Sequence, residues 1–197
     1  MNLLITGLII FFAVHSISIV NDDWRNRMVD RVGELPWKGL YGVLAIVGFL
    51  LIIWGYADAR QHEQIILYSP APWLRHLSML LLIPAFPLLF ATYLPGRIQA
   101  TTRHPMLVAT KLWALAHLLA NGALIDLLLF GSFLLWAVAD RISLKRRQPH
   151  PLPQIPSSPV NDVLALVLGL AVYGAFLYWL HDWLFGVPLL ASPLAGS

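Results

Sequence analysis

Six apolar runs dominate this chain: Met1–Val20, Trp37–Ala57, Trp73–Leu94, Pro105–Ala120, Ala123–Ala139 and Val163–Phe185. A helix needs about 20 mainly apolar residues to cross the hydrocarbon of a bilayer. Inside hydrocarbon every backbone amide must be satisfied within the protein, so only helices and closed barrels span it. Runs of this length without period-two alternation read as helices. The expected fold class is therefore all-α, an integral membrane bundle of about six transmembrane helices. Composition agrees, with 58% hydrophobic and only 12% charged residues, where soluble domains carry about 25% charged. The length of 197 residues suits a single domain, 1–197. No basic segment precedes the first run and no small-residue cleavage site follows it, so we read it as a retained helix.

Basic residues fall on alternate loops. Arg25, Arg27, Arg31 and Lys38 flank the first connection, Arg97 and Arg103 the third, and Arg141, Lys145, Arg146 and Arg147 the fifth. The other side has Arg60 and Arg75. The positive-inside rule then places both termini outside. It also accounts for the net charge of +3, so no nucleic-acid partner is called for. Cysteine is absent, which excludes disulfides, zinc–thiolate sites and thiolate-ligated haem. Asn121-Gly122 is a strong turn signal, making the fourth and fifth runs a tight hairpin. The connection from Arg141 to Asn161, rich in proline, reads as a semi-extended, mobile linker. Most of the eight tryptophans sit near span ends as interfacial residues.

The fourth run carries the chemistry. It opens with Thr102-Arg103-His104-Pro105 and holds Lys111, Trp113, His117 and Asn121. Ionisable groups in hydrocarbon are costly, so each marks a functional hypothesis. Proline suits the first helical position, and the free amides beyond it, with Arg103 and His104, would attract a propionate, a phosphate or a lipid headgroup. His104 and His117 are about 19 Å apart along the axis and cannot share one metal. Trp113 and Asn121 lie one turn either side of His117, lining its face, and a neutral imidazole in an apolar cavity suits haem iron. Any partner ligand must come from another helix. His76 stands at similar depth to His117, whereas His15 is displaced by about 12 Å along the normal. Lys111 calls for a partner such as an acidic group or a ligand, and none is evident, since Asp126 and Asp140 sit at the two ends of the fifth run.

An ordered series of short motifs carries a family resemblance. It runs from Phe12-Ala13-Val14-His15-Ser16 through Trp24-Arg25, Arg31-Val32-Gly33-Glu34, Gly39-Leu40-Tyr41 and Trp54-Gly55-Tyr56 to Thr102-Arg103-His104-Pro105-Met106, Trp113-Ala114-Leu115-Ala116-His117 and Ala120-Asn121-Gly122. Over nearly the whole chain this series resembles the NnrU family of bacterial membrane proteins, named for an association with nitrite and nitric oxide metabolism. That family includes the 15-cis-ζ-carotene isomerase. The resemblance implies a multi-pass protein of the bacterial inner membrane. Its isomerase branch implies haem b, with His15 and His117 as iron ligands and an isoprenoid substrate whose double bond changes geometry. A cysteine of that branch has no counterpart, since Ala114 stands there, so a ligand-exchange mechanism does not carry over. On depth alone His76 remains the alternative partner of His117.

Two other functions compete. Arg-His-Pro opening a helix also resembles membrane S-adenosylmethionine-dependent methyltransferases, but Met106-Leu107 and Asp140-Arg141 depart from their pattern. The scarcity of other polar groups within the spans also suits a non-enzymatic scaffold or assembly protein of a respiratory complex.

Overall fold

The computed structural model describes residues 1–147 and 155–190. His150, with Pro149, Pro151 and Pro153 of the expected linker, lies outside those residues. Among the described residues the elements are helical: α1 (Asn2–His15), α2 (Ile17–Val32), α3 (Glu34–Arg60), α4 (Leu74–Leu82), α5 (Ala85–Ala91), α6 (Arg97–Thr102) and α7 (Pro105–Ala120). A second half follows with α8 (Leu124–Asp126), a π-helical turn (Leu127–Gly131), α9 (Ser132–Ser143), α10 (Pro159–Ala175), a second π-helical turn (Phe176–Leu180) and α11 (His181–Phe185). One isolated antiparallel bridge joins Ile66 to Ala123.

Three helical stretches are long and apolar enough to cross a bilayer: Glu34–Arg60, Leu74–Ala91 and Pro159–Phe185. The bent pair of α1 and α2 makes a fourth if taken as one span. The fourth apolar run, α7, is helical with the expected bounds but has 16 residues, about 24 Å of rise.

The first run ends for a local reason. Asn21 is extended (φ −154, ψ 87), and its Oδ1 accepts the Trp24 amide at 2.9 Å. That is an N-cap, which restarts the helix with Asp22, Asp23, Arg25 and Arg27 in its first turns. The chain bends by 50° between α1 and α2, and no residue of α2 is buried.

Close packing of α1 on α3 depends on missing side chains. A Cβ at Gly7 would lie 2.6 Å from the Ile52 amide nitrogen, and one at Gly48 would lie 2.8 Å from that of Phe11. One at Gly55 would collide with the Leu4 backbone. Small residues at such seams let apolar helices approach where hydrophobic driving force is absent. The core uses Leu4 and Leu8 from α1, Ile52 and Ala59 from α3, Ala114 from α7, and Ile125, Leu129 and Phe130 from the fifth run. Helix α7 packs on α4, α5 and α9, and α5 packs on α10, where Gly169 meets Pro87. Outward faces of α3 and α10 are apolar and exposed, including Leu40, Val43, Ile46, Val163 and Val167, a surface compatible with lipid.

The expected mobile linker needs correcting at its described end. The Ser158 amide donates to Pro95 O at 3.1 Å, and Asn161 Nδ2 donates to Pro95 O at 2.7 Å and Pro156 O at 3.0 Å. Asp162 accepts the Arg97 and Ile98 amides, both at 2.9 Å, capping α6. Proline stiffens this segment and the hydrogen bonds pin it.

Candidate functional site

A ladder of aromatic rings runs through the interior beside the fifth run. Phe130, Phe133 and Trp136 recur every three residues, so they share one helical face. Phe130 sits in the π-helical turn, a distortion often found at functional positions. The two principal histidines stand at opposite ends of this ladder. His117 stacks on Phe130, with centroids 4.4 Å apart, and meets Trp113 at 5.2 Å. His15 stacks on Phe11 at 3.9 Å and meets Tyr41 at 5.3 Å and Trp136 edge-on at 5.9 Å. Phe133 lies between, 5.4 Å from both Phe11 and Trp113. The six residues from Phe130 to Trp136 set the two imidazoles about 9 Å apart in depth.

Both histidines use the same device. His15 Nδ1 lies 2.7 Å from Phe11 O, and His117 Nδ1 lies 2.8 Å from Trp113 O, each the carbonyl one turn earlier. A carbonyl oxygen only accepts, so Nδ1 carries the proton in both. The neutral imidazole then keeps its lone pair on Nε2, the form that binds metal ions.

Around His117 a polar cluster closes the end of the bundle. Asn121 Nδ2 donates to His117 O at 2.9 Å. Tyr68 OH donates to Asn121 O at 2.6 Å and also contacts Leu118 O. The Leu67 amide donates to Gly122 O at 2.8 Å, and a Cβ on Gly122 would collide with the Tyr68 carbonyl. This close approach is why glycine follows Asn121. Asp126 is 7% exposed; its carboxylate accepts Tyr56 OH at 2.6 Å and the Ala123 amide at 3.1 Å. Asp126 and His181 both lie within electrostatic reach of His117. Burial first, then the Asp126 charge, raise the Tyr68 phenol above its ordinary value.

The basic end carries the Arg103-His104-Pro105 motif. Arg103 has φ 60 and ψ −38, and the His104 amide donates to Thr102 O at 2.7 Å, closing a strained γ-turn. The expected free amides are mostly used. Pro105 has none, and those of Leu107 and Val108 donate to His104 O at 3.1 and 3.2 Å. Burial first, then the Arg141 guanidinium, hold the His104 imidazole below its ordinary value.

The structure therefore brings Trp113, His117 and Asn121 together, and leaves His15 at the far end of the ladder. His76 is exposed on α4, without a side-chain hydrogen bond or ring contact among the described residues. Lys111 makes no hydrogen bond or ion pair among them either. Sequence reasoning missed the Tyr56–Asp126 pair and the aromatic ladder. The three-residue spacing of Phe130, Phe133 and Trp136 was the available signal for the ladder; nothing in sequence pairs Tyr56 with Asp126, 70 positions away.

Haem b, implied by the resemblance, finds its donor type at each histidine but no pair that reaches one iron, because the ladder keeps His15 and His117 apart with Phe133 between them. His15 and His117 each offer a neutral Nε2, and the walls are apolar and aromatic. A family model described as NnrU protein matches residues 3–189. No curated protein and no solved structure matches the chain. The match covers the hairpin, the ladder and both histidines, and on it the chain belongs to the NnrU family.

Proposed function

We propose that this NnrU-family chain is a multi-pass protein of the bacterial inner membrane that crosses it six times and holds haem b through His117. His15, which would have to cross the gap that Phe133 now spans, is the proposed second ligand, with His76 the alternative. The observation that carries this reading is the tautomer of His117: Nδ1 is committed to the Trp113 carbonyl, which leaves Nε2 for iron. Trp113, Phe130 and Phe133 supply the apolar wall such a group needs. Bound haem would supply an iron that withdraws electron density from a polyene or engages nitrogen oxides. The chain itself orients the imidazoles by their carbonyl hydrogen bonds and excludes water with the ring ladder. The substrate in this reading is an isoprenoid or carotenoid double bond, or the role is support of nitrite and nitric oxide respiration.

Oxidised and reduced absorption spectra of the purified protein test the proposal. A Soret band with b-type peaks, lost in His117→Ala, is the expected result. Separate His15→Ala and His76→Ala variants identify the second ligand by the spin-state change each produces. A folded but colourless protein overturns the haem reading and favours a scaffold role in a respiratory complex.

A further inference from the structure

The haem reading leaves the basic end of the α7–α9 hairpin unused. The two helices are joined by one turn at residues 121–123, so positions equally far from it stand at equal depth. Arg103 and His104 arrive from one side, Asp140 and Arg141 from the other. Arg147 Nη2 pairs with Asp140 Oδ1 at 2.5 Å, with side chains 15% and 13% exposed, and Arg147 Nε donates to Ser143 Oγ at 3.0 Å. Three guanidiniums against one carboxylate leave two positive charges unbalanced. Among the described residues the side chains of Arg103, His104 and Arg141 make no hydrogen bond or ion pair. His104 senses Arg103, Arg141, Arg147 and Asp140 together, so all five groups share one neighbourhood. His104 is also about 19 Å along α7 from His117, so this cluster is distinct from the proposed haem site.

We propose that this cluster binds a phosphate group, with Arg103, Arg141 and His104 as donors and Arg147 held in reserve by Asp140. Guanidinium forks match the tetrahedral oxygens of phosphate and bind them bidentately. Two sources carry that group at a membrane surface: an anionic phospholipid headgroup and free inorganic phosphate. The part-buried Asp140–Arg147 pair gives the cluster a fixed base. Without an anion, Arg103 and Arg141 would repel each other across it.

The test uses the full chain in a neutral detergent. Native mass spectrometry measures retention of phosphatidylglycerol against phosphatidylcholine, for wild type, Arg103→Gly and Arg141→Gln. Glycine suits the positive φ at 103, so that variant removes the charge without straining the turn. Phosphatidylglycerol should be preferred by wild type, and each variant should weaken it about fivefold, the effect of one basic side chain near an anionic surface. Millimolar inorganic phosphate that abolishes retention identifies free phosphate as the ligand; retention that survives it identifies the headgroup. Equal retention of the two lipids with no thermal shift in phosphate overturns the proposal. So does unchanged binding by folded Arg103→Gly and Arg141→Gln.

Discussion

At the scale of single residues, Asp126 is the least exposed charged side chain among those described, and Tyr56 OH is one of its two hydrogen-bond donors. A buried acceptor deprived of a partner costs about 1–3 kcal/mol. Tyr56→Phe should lose that much stability in detergent unfolding, and Tyr56→Phe combined with Asp126→Leu should recover part of it. A double-mutant cycle without coupling would contradict the pairing. His104 makes a second residue-scale prediction. Its imidazole is held below the usual value of about 6.5 by burial and then by Arg141, so the unfolded chain takes up the proton more readily. Stability from this group is complete above about pH 6.5 and is lost as pH falls from there through the folded value. A histidine NMR titration should give a midpoint below the ordinary one, rising when a phosphate-bearing ligand is added. A midpoint at or above it in the free protein would mean that the neighbourhood is not net positive.

At the scale of elements, the α1–α3 seam is set by Gly7, Gly48 and Gly55. A valine at 55 has nowhere to go, because the obstacle is Leu4 backbone and not the end of a flexible side chain. Gly55→Val should separate the helices, dropping yield of folded protein and lowering unfolding temperature sharply; Gly39→Val on the same helix, where a Cβ meets nothing, should do neither. Comparable losses for both would show that helix propensity, not the seam, is at work. The elements themselves were largely legible. The fourth run and α7 share the bounds Pro105–Ala120, because proline starts the helix and Asn121-Gly122 stops it. The kink inside α2 was not legible, since it depends on Asn21 leaving the helical conformation to cap the Trp24 amide. The break at Ile83-Pro84, which divides the third run into α4 and α5, did have a sequence signal in Pro84, which has no amide to donate to the helix.

At the scale of the whole molecule, the absence of cysteine makes topology directly measurable, because each introduced cysteine is a unique probe. Single cysteines at Gln61 and Arg146 should label from opposite sides of the membrane, with Arg146 on the cytoplasmic side. Labelling from the same side would remove the six-span arrangement. Apolar run length and composition alone determined that this is a helical membrane chain, since hydrocarbon demands satisfied backbones and excludes charge. Sequence also singled out His117, Trp113 and Asn121, because residues one turn apart share a face whatever the helix packs against. What lies between His15 and His117 was a tertiary decision. The ring ladder comes from three helices, α1, α7 and the distorted fifth run, and no local rule fixes their rotation. The burial of Asp126 under Tyr56, and the gathering of Arg103, Arg141 and Arg147 around Asp140, likewise depend on which helix faces meet. Spacing along one helix is set by the chain; spacing between helices is set by packing.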